Sequence, residues 1–514
     1  MSQATIEHSF QAINPATGEI LPGEFIETSL EQITDYGHRS AAAFAEYRNV
    51  SGLKKAEFLE QIALEIEALG DALLERAQAE TALPLPRLTG ERGRTTGQLR
   101  LFASYVREGS WVDARIDPAL PERQPLPRPD LRQMLRPLGP VGIFGASNFP
   151  LAFSVAGGDT ASALAAGCTV VVKAHPAHPG TSELVAEAIR TAVQKCNLPE
   201  DTFLCIQGRT NETGQALVNH PAIKAIGFTG SFRGGKAIFD AAARRPEPIP
   251  VYAEMGSTNP VFFLPQILKE QGAALALAYV ASTTLGTGQF CTNPGLSIVT
   301  ASEATEQFKA QAQQAITQVK PTSMLTKAIR EAFHQGISHL TSHGDVQVLG
   351  ESDATEGYAL ARPVLLTSTA KALLANPAVA EEVFGPSSII VQADNPEEML
   401  ALAQSLEGHL TATVYGTEEE LLQYGDLLAI LEQKAGRVII NAFPTGVEVS
   451  HAMHHGGPFP ATTDARSTSV GTNAIRRFAR PVCYQGFPQA LLPEELKDTN
   501  PLSIWRLWDG VTQK

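Results

Sequence analysis

Between residues 38 and 82, apolar side chains recur at intervals of three and four, with Leu59, Ile62, Ile66, Leu69 and Leu73 in one series. That spacing predicts helix packed on a core. Leu83-Pro84 closes the run, because proline has no amide to donate and restrains the residue before it. Residues 115–140 read differently: seven prolines and scattered arginines exclude a regular helix and predict an extended arm or linker. From Val141 onward short β-rich runs alternate with helical ones. The runs are Val141 to Phe144, a helix from about Leu151 to Ala166, Thr169 to Lys173, a helix from about Thr181 to Lys195, Phe203 to Gln207, and Ala225 to Thr229. Strands separated by helices of this length predict βαβ units, an α/β fold and a parallel sheet. Ligands bind such sheets at the carboxyl ends of the strands, where Asn148, Lys173, Arg209 and Gly230 fall. A second α/β lobe is expected from Glu254 to about residue 450. The stretch from Arg476 onward changes composition again, with Pro481, Pro488, Pro493, Trp505 and Trp508.

Composition narrows the functions open to such a chain. At 514 residues it exceeds what one core serves, so two or three lobes are expected. A net charge of −14 opposes nonspecific binding to nucleic acid or to an anionic membrane, so neither is expected as a partner and a small molecule fits better. The apolar fraction of 43% with 18% charged residues is that of a folded globular protein. Five cysteines without a C-x-x-C pair give no disulfide framework, which predicts reduced thiols and a cytoplasmic location. The N-terminus shows no basic segment followed by an apolar one, so no secretory signal is expected. The weakly polar run Gly272 to Gly286 is too short to span a bilayer, which takes about 20 apolar residues.

One cysteine stands apart. Cys291 lies in Gly288-Gln289-Phe290-Cys291-Thr292-Asn293-Pro294-Gly295, among small and polar residues rather than in an apolar run, a setting that suits an accessible thiolate near backbone amides. Glu254 ends the apolar stretch Val251-Tyr252-Ala253, and Asn148 follows the strand-like run to Phe144. Together they would supply a nucleophile, a base and an oxyanion donor. Taken singly, Glu254 is equally a surface carboxylate after a strand, and Asn148 a helix cap. The glycines of Gly230-Ser231-Phe232-Arg233-Gly234-Gly235 fit either a plain turn or a helix start facing phosphate. The other cysteines read as packing. No metal site is expected: His451, His454 and His455 form the densest histidine group, but Gly456-Gly457-Pro458 argues for a loop, placed against the substrate pocket or the cofactor lobe.

In order and separation, Asn148, Lys173, Gly230 with Gly235, Glu254, Cys291, and Glu382 with Phe384 resemble the aldehyde dehydrogenase family, whose members oxidise an aldehyde to an acid with NAD or NADP. The resemblance runs from Asn14-Pro15-Ala16-Thr17-Gly18-Glu19 through Glu381-Glu382-Val383-Phe384-Gly385-Pro386. It implies a Rossmann-type cofactor domain (1–114 and 141–253), a catalytic domain (254–450), and an oligomerisation arm with a C-terminal segment (115–140 and 476–514) serving a homodimer or homotetramer. It also implies Cys291 as nucleophile, Asn148 as oxyanion donor and Glu254 as the base for thioester hydrolysis, with burial expected to raise the Glu254 pKa. Around the cofactor it implies Ala146, Ser147, Lys173, His175, Pro176, Arg209, Gly230, Ser231 and Gly235. Glu382 and Phe384 would hold the nicotinamide end. NAD-preferring members carry a glutamate where this chain has Pro176, so NADP is the expected cofactor, with NAD possible. His455 to Ala461 and Arg480 to Gln485 resemble the branch acting on 2,5-dioxopentanoate (α-ketoglutaric semialdehyde), near which stand NADP-dependent fatty-aldehyde dehydrogenases of luminous bacteria. Medium- or long-chain aldehyde oxidation and a CoA-acylating reaction remain alternatives. Phe149, Phe290 and Arg466 are the expected substrate contacts, Arg466 as the cation for a carboxylate.

Overall fold

The computed structural model describes residues 8–353 and 356–514; the first seven residues, on which the reading of the N-terminus rests, lie outside them. Five parallel strands form the sheet predicted after Val141: β1 (Val141–Phe144), β2 (Val170–Lys173), β3 (Phe203–Ile206), β4 (Ala225–Thr229) and β5 (Val251–Glu254). Their spatial order is β3-β2-β1-β4-β5, so the chain runs outward from β1 to one edge and then to the other. That reversal opens a crevice above β1 and β4, where open α/β sheets take their ligands.

A second sheet holds β6 (Val261–Phe263), β7 (Leu296–Thr300), β8 (Gln347–Glu351), β9 (Val364–Thr369), β10 (Ser387–Ala393), β11 (His409–Tyr415) and β12 (Ala435–Ile440). Its order is β8-β9-β10-β7-β6-β11-β12, parallel except for the antiparallel edge strand β8. The central strands are buried along almost their whole length, as expected of strands covered on both faces, and Phe262, Phe263, Ile298, Ile390, Val391 and Val414 are fully buried. The proline-rich stretch and the C-terminal segment meet in a third sheet, made by Arg115–Asp117, Leu131–Pro137, Ala479–Gln485, Arg506–Trp508 and Val511–Gln513.

Two helix expectations need correction. The run from 38 to 82 is three helices, Leu30–Tyr47, Gly52–Ala68 and Gly70–Thr81. Ser51 caps the second by accepting from the Lys54 amide, and Gly70 at φ +56° takes a left-handed turn that other residues resist. The helix expected from Leu151 begins only at Gly158. The amides of Leu151 and Ala152 donate instead to the buried carboxylate of Glu91, at 2.9 and 3.0 Å, which holds residues 150–157 as a compact turn facing the second lobe. No described helix is long and apolar enough to cross a membrane, and all five cysteines are free.

Candidate active site

Glu254 is the last residue of β5, an edge strand whose free side is covered by residues 461–463. Met255 N donates to Ala461 O at 2.8 Å, Thr463 N donates to Ala253 O at 3.1 Å, and Glu254 pairs with Thr462 in an isolated bridge. That clamp fixes the carboxylate, which is only 3% exposed. Ser469 Oγ donates to its Oε2, and His455 Nε2 stands 2.9 Å from its Oε1. The same Nε2 lies 3.4 Å from Cys291 Sγ. His455 itself is held by its backbone, its amide donating to Thr468 Oγ1 and its carbonyl accepting from Ser469 N, both at 2.8 Å.

Cys291 follows a tight turn, Leu285–Gly288, in which Gly286, Thr287 and Gly288 all have positive φ. A Cβ on Gly288 would sit 2.1 Å from the Gly385 carbonyl oxygen, so only glycine lets the turn meet the loop that follows Glu382 and Phe384. Asn259 Nδ2 then donates to the carbonyls of Cys291 and Asn293, each at 2.9 Å. Asn148 is buried beside this turn. Its Nδ2 donates to Gln289 O at 3.1 Å, which uses one amide hydrogen and leaves the other for a ligand. Its backbone carbonyl accepts from Arg87 Nη2 at 2.7 Å.

The electrostatics correct two expectations. Burial and the adjacent Glu254 carboxylate push the Cys291 thiol well above its usual range, so its resting form is S–H and its activation requires a base. Burial acts to raise Glu254, but the neighbouring His455 and the hydrogen bonds from His455, Ser469 and Cys291 outweigh it, so the carboxyl lies below its ordinary pKa rather than above. Sequence reasoning placed the His455 loop against the substrate pocket or the cofactor lobe but gave His455 no part in the chemistry. Its signal was present in the histidine cluster, but only the 461–463 clamp brings it to a cysteine 164 residues away. The sulfur, imidazole nitrogen and carboxylate oxygen lie within 4.8 Å of one another. This donor set has the chemistry to ligate a divalent metal, which the sequence reading did not foresee.

The cofactor candidates share the carboxyl edge of the first sheet, though they differ in what they offer. Lys173 ends β2 without an ion pair among the described residues, and burial lowers its ammonium to about 8. His175 is pushed far below its usual value by burial and is neutral; its Nδ1 accepts from Ala177 N at 3.2 Å, which puts the proton on Nε2. Pro176 sits beside it, half-buried, and Ala146 is buried with its carbonyl 3.0 Å from His178 Nε2. Ser147 is half-buried next to Asn148. Ser231 accepts from Gly234 N and caps the helix Phe232–Ala243, after Gly230. Gly235 has a packing reason: a Cβ there would lie 2.6 Å from Met255 Cγ, so the glycine lets the helix rest on the chain just beyond β5. Arg209 is committed elsewhere, since it pairs with Glu27 at 3.0 Å and is 56% exposed. Glu382 is an exposed residue whose carboxylate lies against Gly256, and desolvation there lifts it to about 7. Phe384 lines a crevice with Glu382, Thr258 and Phe290.

Of the expected substrate contacts, Phe149 and Phe290 meet edge to face at 5.5 Å. They wall a cavity of about 240 Å³ that opens onto Cys291. Arg466 does not belong to it. Its side chain is 91% exposed and held by Asp464 at 3.1 Å, because residues 464–467 form a surface turn beyond the clamp.

A cysteine thiol, a buried carboxylate–imidazole pair and a side-chain amide at the junction of two α/β lobes accord with a match of residues 1–468 to the aldehyde dehydrogenase family, and the chain belongs to that family. It is 51% identical to α-ketoglutaric semialdehyde dehydrogenase 2 of Azospirillum brasilense, over 98% of this chain and 96% of that one. It is 50% identical to the α-ketoglutaric semialdehyde dehydrogenase of Acinetobacter baylyi, over 95% and 92%. Among solved structures, a glyceraldehyde-3-phosphate dehydrogenase of Methanocaldococcus jannaschii complexed with NADP shares the fold, with TM-score 0.77 and 20% identity over 94% of this chain and 99% of that one.

Proposed function

We propose that the enzyme oxidises 2,5-dioxopentanoate to 2-oxoglutarate with NADP, through a thiohemiacetal and a thioester on Cys291. The observation that carries the mechanism is the approach of His455 Nε2 to both Cys291 Sγ and Glu254 Oε1, at 3.4 and 2.9 Å. The thiol proton leaves to His455 Nε2, 3.4 Å from the sulfur, as sulfur adds to the aldehyde carbon. The new oxyanion is stabilised by the free Asn148 amide hydrogen and the Cys291 backbone amide; losing one such donor typically costs about 10²–10³ in turnover. Bound NADP would accept the hydride that converts the thiohemiacetal to the thioester. Water then attacks the acyl carbon, giving its proton to the Glu254–His455 pair, and the acid departs as Cys291 recovers its hydrogen. A base poised for water favours release of free acid over acyl-CoA.

The residues at the carboxyl edge of the first sheet fit a nicotinamide dinucleotide. Lys173 has an unpaired ammonium there, the capped start of the helix Phe232–Ala243 presents amides to a pyrophosphate, and Glu382 and Phe384 flank the crevice near Cys291. Pro176 places no carboxylate where a 2′-phosphate would be repelled, which supports NADP over NAD. The relatives' names support the substrate, and the third sheet, with the edge strands Ala479–Gln485 and Val511–Gln513, supports assembly into a homodimer or homotetramer. A panel of aldehydes assayed with NADP and with NAD tests the reading, alongside Cys291→Ala. The expected result is highest kcat/KM for 2,5-dioxopentanoate with NADP, free 2-oxoglutarate as product, and no activity in the variant. Activity retained by Cys291→Ala would end the covalent mechanism.

A further inference from the structure

The cavity in front of Cys291 is walled on one side by the helix Leu85–Glu108. Arg87, Glu91 and Arg94 stand four and three residues apart on it, so all three project from one face. Glu91 is spoken for, since its Oε1 accepts the amides of Leu151 and Ala152. Neither arginine has an ion-pair partner among the described residues. Arg94 makes no hydrogen bond there at all, and its Nε and Nη2 are buried without a partner, as is Nη1 of Arg87. Each guanidinium lies over the aromatic wall. Arg94 lies 4.9 Å from the Phe153 ring centre, and Arg87 lies 4.6 Å from that of Phe290, contacts that use no N–H of either guanidinium. Burial lowers both arginines from their usual range.

Glu91 tempers both charges from between them, but with no carboxylate at ion-pair distance among the described residues the buried guanidinium nitrogens remain costly unless a ligand brings an anion to them. We propose that Arg94, assisted by the free Nη1 of Arg87, binds the carboxylate at the end of the substrate remote from the aldehyde, and so selects short aldehydes bearing a terminal carboxylate. The assignment rests on the substrate reading above and replaces Arg466, which is turned to solvent. An arginine fork matches a carboxylate in geometry as well as charge. The cavity joins this fork to Cys291, so a five-carbon chain anchored by its acid presents its aldehyde to the sulfur. Long alkyl aldehydes meet two cations there instead of an apolar tunnel. Arg87 also holds the Asn148 carbonyl, so Arg94 is the informative residue to change.

The test compares Arg94→Gln and Arg94→Lys with the parent enzyme on 2,5-dioxopentanoate and on pentanal, which has the same chain length without the acid. The ratio of kcat/KM for the acid over the neutral aldehyde is expected to fall about 10- to 100-fold in Arg94→Gln, mainly through KM, as for loss of a charge-assisted hydrogen bond. Arg94→Lys, which keeps the charge and loses the fork, should fall between. A second measurement does not depend on turnover: binding of glutarate to Cys291→Ala by titration calorimetry should weaken by a similar factor when Arg94→Gln is added. An equal loss on both aldehydes would show that Arg94 acts on the Cys291 thiol and overturn the proposal, as would unchanged glutarate binding. A parent enzyme that prefers pentanal would instead overturn the substrate reading, and glutarate binding would still report on the arginines separately.

Discussion

Replacing Ser469 by alanine should move the acid limb of the pH–rate profile upward. Ser469 Oγ donates to Glu254 Oε2 in a fully enclosed setting, and it is one of the contacts that hold this carboxyl below its ordinary pKa against the effect of burial. A hydrogen bond to an ionised group contributes about 1.5–3 kcal/mol. Since about 1.4 kcal/mol moves a pKa by one unit, the carboxyl of the variant should titrate about 1–2 units higher. His455 remains 2.9 Å away, which favours the lower figure. Thioester hydrolysis needs an ionised base, so the steady-state rate after the first turnover should begin to fall at a pH about one unit above that of the parent. The assay is stopped-flow NADPH formation at saturating substrate from acid to neutral pH, with the post-burst rate plotted against pH. Stability carries the same sign. A carboxyl depressed in the folded state stabilises the protein above its unfolded pKa, near 4.5, and that contribution is lost as pH falls through the folded value. Ser469→Ala should therefore lower Tm at pH 7, with the difference from the parent narrowing in acid. An acid limb displaced by less than about 0.3 unit, with kcat reduced uniformly, would refute the electrostatic role of Ser469 and leave it a packing residue.

Glu254→Gln should retain a near-stoichiometric burst of NADPH while steady-state turnover drops by at least about 10², the scale of general-base contributions; loss of the burst as well would place Glu254 in activation of Cys291, ahead of His455. Pro176→Glu adds a carboxylate beside the expected 2′-phosphate, and like charges at close range in a partly screened cleft cost on the order of 1–4 kcal/mol. The kcat/KM ratio for NADP over NAD should accordingly fall at least about tenfold, and an unchanged ratio would mean that residue 176 does not border the 2′ position. Dialysis against a chelator should leave turnover unchanged, since the proposed chemistry uses the Cys291–His455–Glu254 atoms as nucleophile and base; loss of activity restored by a divalent ion would require these atoms to be metal ligands.

Much of the first sheet was legible because parallel strands and their crossover helices impose strong local periods, and β1, β2, β3 and β4 fall within the runs anticipated. The misplaced helix at Leu151 failed for a tertiary reason: the Phe153 carbonyl, which a helix would bond to the Gly157 amide, accepts from Ala146 N at 2.8 Å, and Glu91 from a distant helix holds the Leu151 and Ala152 amides in that arrangement. The three residues placed together by motif, Asn148, Glu254 and Cys291, sit within reach of one another because Glu254 ends a strand, Cys291 follows a glycine turn and Asn148 lies in the loop leaving β1, features that local sequence encodes. His455, Ser469, Arg87 and Arg94 could not be read in the same way. Each belongs to a segment whose role depends on where it docks, and an arginine two helical turns from another looks like any solvated pair until its partners prove to be phenylalanines. The pKa of Glu254 was misjudged for the related reason that its burial was anticipated while two of the groups that oppose it, His455 and Ser469, were not.

The edge clamp on β5 has a consequence for biosynthesis. Residues that complete the site lie between His455 and Ser469, after every strand of both large sheets has already been made, and the stretch that covers β5 can dock only once those residues have left the ribosome. A nascent chain that has finished β12 thus carries Cys291 and Glu254 without the imidazole that both meet, and without the serine hydroxyl that Glu254 meets, in the finished fold. The full set of side chains comes together last, when every strand of the two large sheets is already made.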